Sequence, residues 1–580
     1  MKKIMLSLFA VVAFMSAFAQ TVWHNPQQAA FNPLEGQYWQ SDARSNFYHR
    51  LPDKAQKIVN GGVWDLSRQS AGISINFRSN SPKIIVRYGL TEKGASMAHM
   101  PLTGASGLDL YAKDGNGKTL WIAGRYNFAD TCTYKFGEIT YSNTPASKGY
   151  EYQLFLPTYN GVEWMEIGVD DGSFFEFIAP RQDLPIVAYG TSITQGACAS
   201  RPGMIWTSIL SRKMDRPLYN FGFSGCGKLD TAVVDLIAEI EAKIYIIDCM
   251  PNLQNVDSVI LVNRIVTQIK RLREKRPTTP IILTDHLGYP HSESIRSYRK
   301  DELNANNSQK KAFEILIADG VKDLYHLDYN TLAMPMDATV EAVHPSDWGM
   351  QVYADAYEKM LRDILSEPIG NTVTTVPVRQ RREPNIYEWL DRHEKMLSDN
   401  KTHKYKGAFL GNSIFHHWGG VEGFAYQRGA DSWDENFSDY HNHGFGFDRI
   451  ENVLWRIYHD EFSGISYKKI ILKIGTNNIS VNNTDEQIVQ GIEFVISALQ
   501  KRQGEAEIKV LGILPRRNNE PRVKVLNEKI KAMVSGIKGC KYQDVGGVLL
   551  LKNGKINEKM FVDGLHPNKE GYKLIVNEGL

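Results

Sequence analysis

The stretch Pro185-Ile186-Val187-Ala188-Tyr189-Gly190-Thr191-Ser192-Ile193 carries a strand-and-turn signal. An apolar run enters a glycine and then a serine, which is how a short buried strand ending in a tight turn reads. Downstream, helical patterns over 205–214, 229–240 and 259–275 alternate with strand patterns over 218–221, 244–248 and 280–284. A last helix starts near Trp348. Strands alternating with helices predict a parallel sheet covered by helices on both faces.

The same order returns later. Gly407-Ala408-Phe409-Leu410-Gly411-Asn412-Ser413-Ile414 leads to strands at 469–474 and 508–513, with a helix at 485–500 between them and another after His566. Matching order and spacing predict a duplicated domain. Each serine also has a distant acid-x-x-His-Pro segment, Glu341-Ala342-Val343-His344-Pro345 and Asp563-Gly564-Leu565-His566-Pro567. The serine-to-histidine separations are 152 and 153 residues. A hydroxyl nucleophile needs a base to take its proton and an acid to orient that base. An acid three residues before a histidine reaches the second ring nitrogen within one loop. Ser192, Glu341 and His344 therefore form one candidate set, and Ser413, Asp563 and His566 another.

In an open parallel sheet, reactive groups gather beyond the carboxyl ends of the strands. Acyl transfer also needs donors for the oxyanion. The next two strand ends offer them in each unit. Asn220-Phe221-Gly222-Phe223-Ser224-Gly225 and Asp248-Cys249-Met250-Pro251-Asn252 point to the Gly225 N–H and the Asn252 amide. Asn442-His443-Gly444-Phe445-Gly446-Phe447-Asp448 and Gly475-Thr476-Asn477-Asn478 occupy the same places in the second unit.

Ahead of both units, short alternating runs such as Gly72-Ile73-Ser74-Ile75-Asn76-Phe77 and Trp164-Met165-Glu166-Ile167-Gly168-Val169 are separated by Gly, Asn, Asp and Pro. Period-2 patterning without a convincing helix predicts an antiparallel β-sandwich. The expected organisation is a signal peptide over 1–19, a sandwich over 20–182, a first α/β unit over 183–367, a linker and leading helix over 368–404, and a second unit over 405–580. Lys2 and Lys3 precede an apolar run that ends at Ala17-Phe18-Ala19, the pattern of an export signal cleaved near Ala19/Gln20. The protein is thus expected to be periplasmic or secreted, with no transmembrane segment after cleavage. The linker arginines Arg379, Arg381 and Arg382 read as a solvated connector.

With 580 residues, 42% hydrophobic and 23% charged, the chain has the composition of a multidomain globular protein. Its formal charge of +2 gives no reason to expect a nucleic-acid partner. The five cysteines are scattered and no pair has zinc-site spacing. Cys198 and Cys226 flank the first candidate site and are read either as buried free thiols or as a pair.

These residues carry a resemblance. Both units resemble the SGNH (GDSL-type) hydrolase superfamily, whose four blocks supply the Ser, two oxyanion donors and the His with its acid. The resemblance implies a flavodoxin-like α/β/α fold, no metal or other cofactor, and ester hydrolysis through an acyl-enzyme. It places Ser192, Gly225, Asn252, Glu341 and His344 in those roles in the first unit. In the second it places Ser413, Asn477, Asp563 and His566, with Phe447 in the glycine's position. The second unit resembles the platelet-activating-factor acetylhydrolase-like branch. The first, with Gly107-Leu108-Asp109-Leu110-Tyr111 before it, resembles bacterial SGNH acyl-esterases that carry an N-terminal β-sandwich.

Several positions depart from the family pattern. Thr191 and Asn412 stand where the family has Asp, Glu341 replaces an Asp, and Met250-Pro251-Asn252 lacks the usual Gly-x-Asn-Asp form. Phe447 is expected to crowd the hole or to demand a different backbone angle. The resemblance implies small acyl groups, and the expected partner is an acetylated oligo- or polysaccharide. The alternatives are a lipid or lysophospholipid esterase, or a chain with one active unit. Aromatic residues near the serines, Trp206, Trp418, Phe424, Tyr426 and Trp433, read mostly as core and in part as sugar-stacking faces.

Overall fold

The computed structural model describes residues 20–39, 43–94, 96–145 and 147–580. The expected signal segment, 1–19, lies outside the described residues. The N-terminal region is a sandwich of two antiparallel sheets. One runs Thr21–His24, Val162–Asp170, Ile84–Leu90, Cys132–Phe136, Arg125–Asn127. The other runs Phe175–Phe177, Ser74–Ser79, Tyr150–Phe155, Asp109–Lys113, Thr119–Ile122, with Leu34–Glu35 on Ser74–Ser79. Inward residues of both sheets, including Phe77, Val86, Leu110, Leu154 and Ile167, form its core. Sequence periodicity suggested no helix here, yet Gly61–Ser67 is helical, capped by the Asn60 side chain accepting the Val63 N–H. Two turns are too short to show a 3.6-residue period; the cap was the available signal.

Two five-stranded parallel sheets follow, both in the order second-first-third-fourth-fifth. The first is Leu218–Gly222, Ile186–Gly190, Ile244–Asp248, Ile281–Thr284, Leu324–Leu327. The second is Tyr440–Gly444, Gly407–Gly411, Lys469–Lys473, Glu507–Leu511, Cys540–Gln543. Every residue of Ile186–Gly190, Ile244–Asp248 and Gly407–Gly411 is buried, because helices cover both faces. Alternation along the strands divides the core in two. Val187, Tyr189, Tyr245 and Ile247 enter one layer, and Ile186, Ala188, Ile244 and Ile246 the other. Ala408, Leu410, Ile470 and Leu472 separate from Phe409 and Ile471 in the same way.

The fifth strands and the helices Arg296–Ala318 and Glu520–Ser535 go beyond the sequence reading. Leu324–Leu327 and Cys540–Gln543 are edge strands with half-buried residues, so neither shows a fully apolar run.

The three parts are joined by buried charge. Asp183 faces His459 at 3.0 Å and also approaches His393, which lies 3.1 Å from Glu461. Burial opposes the charge on His393, but bonds to Asp183 and Glu461 lift its pKa to about 9. Arg216 pairs with Asp460 at 3.0 Å, and the Trp455 Nε1–H donates to Asp215 at 3.0 Å. Gly107–Tyr111 serves this joining too. Asp109 accepts the Gly203 N–H at 3.0 Å and pairs with Arg201, which also reaches the Tyr111 hydroxyl at 2.6 Å. The sandwich thereby grips the segment between the first serine and the next helix.

The linker arginines are not solvated, and the expectation of a solvated connector at Arg379, Arg381 and Arg382 is corrected. Arg381 is 4% exposed, donates to the Gly149 carbonyl at 2.8 Å and pairs with Glu388 at 2.7 Å. Arg379 lies 3.5 Å from both Glu151 and Asp215. These cations had no amphipathic period because, Glu388 apart, their partners are carboxylates and carbonyls of other domains.

Candidate active site

In each sheet the strand next to the edge strand, Ile186–Gly190 or Gly407–Gly411, ends in glycine and turns into a four-residue helix, Ser192–Gln195 or Ser413–His416. Thr191 and Asn412 cap these helices, their side chains accepting the N–H groups of Ile193 and Ile414. The residues standing where the family has Asp thus satisfy a first-turn donor. The neighbouring strand must end in glycine as well. A Cβ on Gly222 would lie 2.1 Å from the Gln195 nitrogen, and one on Gly444 2.2 Å from that of His416.

The structure brings each sequence-derived set together. Ser192 Oγ lies 2.8 Å from His344 Nε2, and Ser413 Oγ lies 2.8 Å from His566 Nε2. Asp563 uses two oxygens. Oδ2 meets His566 Nδ1 at 2.7 Å, and Oδ1 accepts the His566 N–H at 2.8 Å and the Leu565 N–H at 3.0 Å. Glu341, one methylene longer, uses a single oxygen for both the ring nitrogen and the backbone N–H of His344. The residue after each acid is left-handed, Gly564 at φ +80 and Ala342 at φ +71. Glycine adopts that conformation freely, whereas alanine there costs about 1–2 kcal/mol.

The donor blocks also coincide. Gly225 sits at φ +67 and Phe447 at φ +59, so the phenylalanine takes the glycine's backbone conformation rather than a different angle. The residue is 45% exposed. Among the described residues, neither backbone N–H is given to a backbone carbonyl. The N–H groups of Ser192 and Ser413 open their helices, where no intrahelical acceptor exists. Asn477 Nδ2 donates to the Asp448 carbonyl at 2.9 Å, and Asn252 Nδ2 to that of Gly227 at 3.3 Å. Asn477 is anchored through one hydrogen and has a second to give, whereas Asn252 Nδ2 also makes a long contact of 3.5 Å to the Phe223 carbonyl.

Burial depresses the His566 pKa below its ordinary 6.5; Asp563 opposes this, while Arg428 and Lys473 add to it. Burial also opposes ionisation of Asp563, yet its bonds to His566 and the Leu565 N–H hold it down to about 2. A base must be neutral to accept a proton. In a Ser192→Ala chain, the acid limb of kcat/KM against pH is therefore expected to have its midpoint below 6.5. A midpoint above 6.5 would show that Asp563 outweighs burial.

Some supporting residues had no sequence signal. The Tyr159 hydroxyl, from the sandwich, donates to the Ser192 carbonyl at 3.2 Å. Arg382 donates to the Phe447 carbonyl at 2.8 Å and to Asn116 of the sandwich at 2.9 Å. It holds the peptide next to the candidate donor. Arg382→Ala is expected to lower turnover at the second centre by about 10–100-fold through misplacement of that loop. First-centre turnover, read in a Ser413→Ala background, should not change. The three tryptophans Trp206, Trp418 and Trp433 are at most 1% exposed and belong to the core. All five cysteines are free.

Comparison with known proteins agrees with this geometry. Residues 183–362 and 409–574 each match a model described as a GDSL-like lipase/acylhydrolase family. Residues 21–175 match the GxDLY model, described as the N-terminus of SGNH-hydrolase-type esterases. The platelet-activating factor acetylhydrolase IB subunit alpha2 of Rattus norvegicus is 31% identical over 193 residues, 32% of this chain and 80% of that protein. The alpha1 subunit of the same species is 28% identical over 190 residues, 32% of this chain and 77% of that protein. A solved GDSL-like lipase candidate from Bacteroides ovatus superposes with a TM-score of 0.54 at 28% identity, covering 60% of this chain and 98% of its own. The chain belongs to the GDSL-like lipase/acylhydrolase (SGNH) family, as a carboxylic ester hydrolase with two such units behind a GxDLY-type β-sandwich.

Proposed function

We propose that both centres hydrolyse short acyl esters, acetyl foremost, on the hydroxyls of carbohydrate chains met outside the cytoplasm. Ser192 and Ser413 are the nucleophiles. As Oγ attacks the ester carbonyl, Nε2 of His344 or His566 takes its proton, and Glu341 or Asp563 stabilises the imidazolium. The oxyanion is met by the serine N–H, the N–H of Gly225 or Phe447, and an amide hydrogen of Asn477 or of Asn252, which gives up its long contact to the Phe223 carbonyl. The imidazolium then protonates the leaving sugar oxygen. Water, deprotonated by the same histidine, releases acetate and restores the serine.

The observation that carries the carbohydrate reading is exposed aromatic surface beside each histidine or donor. Trp348, four residues past His344, lies in the first turn of the helix Asp347–Leu365 and is 53% exposed. Phe447 is 45% and Tyr426 52% exposed, and Tyr426 packs edge-on to Phe424, which stacks on His416 at 4.0 Å. Flat faces of this kind stack on sugar rings. The acetylhydrolase name of the mammalian relatives supports acetyl as the acyl group. Among the described residues no helix is long and apolar enough to cross a membrane.

Acetate release from acetylated xylan and pectin, set beside release from an acetylated phospholipid, tests the reading. Faster release from the polysaccharides, lowered by Trp348→Ala in a Ser413→Ala background, is the expected result. Release confined to the phospholipid would replace the carbohydrate reading with a lipid one.

A further inference from the structure

The first centre contains a group that its function as an esterase does not use. His99 extends from the sandwich to within 5.5 Å of the His344 ring, centroid to centroid. Cys198 approaches from the loop that follows the nucleophile helix, and is 6% exposed and free. Its φ of +70 is a backbone conformation costly for any residue with a Cβ. Ligand atoms of His99, Cys198, Glu341 and His344 all lie within 4.8 Å of one another.

We propose that these four side chains bind a zinc ion, and that its binding switches off the first centre. Two imidazoles, a thiolate and a carboxylate are a donor set that suits tetrahedral Zn2+. Zn–N and Zn–S bonds of roughly 2.0–2.3 Å place tetrahedral ligands about 3.3–3.8 Å apart. Closing from 4.8 Å takes side-chain rotation of Glu341, which is exposed, and of His99, which is half-buried on a loop of the sandwich. Binding displaces the thiol proton of Cys198 to solvent, and the ion is held by the resulting thiolate. Either nitrogen of His344 that the ion takes is one catalysis needs. Coordination at Nδ1 severs the bond to Glu341, and coordination at Nε2 severs the bond to Ser192.

The second centre is a built-in control. His417 stacks on His566 at 5.0 Å, much as His99 faces His344. The sixth residue after Ser413 is Gly419, where the first unit has Cys198, so no thiol completes the set. Among the described residues no comparable cluster of metal-binding side chains occurs at the second centre. Zinc therefore distinguishes two centres whose catalytic geometry is otherwise duplicated. Three separate loops supply the ligands, which is why no zinc-type spacing exists in the sequence.

The inhibition rests on the reading of Ser192 as a nucleophile; the binding does not. The test titrates the full chain with ZnCl2 against a chromophoric chelator and, separately, with Co2+ to record thiolate-to-metal charge transfer. One equivalent of zinc is expected. Cys198→Ser and His99→Ala should each weaken it by at least the roughly 10–100-fold that loss of an outer-shell partner costs. The charge-transfer band should vanish in Cys198→Ser. Zinc should stop hydrolysis by the Ser413→Ala chain, reversibly with EDTA, and spare the Ser192→Ala chain. No binding, or binding unchanged in both variants, overturns the metal site whatever activity does. Binding that depends on both residues, in a Ser413→Ala chain with no hydrolysis to lose, would overturn the role of Ser192 and leave the site standing.

Discussion

Ser192→Ala is expected to lower hydrolysis at the first centre by about 10^4–10^6-fold and leave the second unchanged, with Ser413→Ala giving the reverse. The magnitude follows from the geometry. Without Oγ there is nothing for Nε2 to deprotonate, although the donors around the oxyanion and the substrate contacts survive. Independence follows from duplication: each histidine lies 2.8 Å from its own serine and each acid is three residues from its own histidine. Steady-state hydrolysis of a chromogenic acetyl ester by both single variants and the double variant checks this. The singles should sum to the wild-type rate and the double should fall to background. Activity persisting in the double variant would place the nucleophile elsewhere.

Arg456→Met is expected to cost the second unit about 3–5 kcal/mol, the price of leaving buried carboxylates without their cation. Arg456 and its partners Asp448 and Glu461 have fully buried side chains. Its guanidinium meets Asp448 at 2.9 Å, pairs with Glu461 and donates to the carbonyls of Gly411 and His443. Those contacts hold the end of the strand that delivers Ser413 and the residue following Phe447. Burial already lifts the Asp448 pKa to about 6 against the pull of Arg456. Loss of that pull would make ionised Asp448 still costlier. Denaturant unfolding followed by tryptophan fluorescence should show the loss, accompanied by inactivity of the second centre in a Ser192→Ala background. A change of less than about 1 kcal/mol would mean that methionine packing compensates for the lost pairs.

The candidate sets were legible because each of their two pieces is local in sequence. A strand, a glycine and a serine form one continuous signal, and the acid and histidine share a single loop. Burial on both faces made the central strands continuous apolar runs, whereas the half-exposed edge strands Leu324–Leu327 and Cys540–Gln543 carried no such signal. Phe447 was misjudged for a related reason. Residue type gives the usual preference for φ, but here tertiary contacts to its carbonyl from Arg382 accompany a left-handed phenylalanine. The linker arginines show the same limit: Arg381 looked solvated because Glu388 alone of its partners is nearby in sequence, while Gly149 lies in another domain. His99 and Cys198 are separated from His344 by more than a hundred residues, and only the folded chain gathers them.

Two working serine centres in one chain predict a labelling stoichiometry of two. Saturation with a fluorophosphonate ester, followed by intact-mass and peptide mass spectrometry, tests it directly, because the reagent bonds only to a serine whose base and oxyanion donors function together. The expected result is two adducts per chain, at Ser192 and Ser413, each absent from the matching alanine variant. A single adduct at saturation, or one on any other residue, would contradict it.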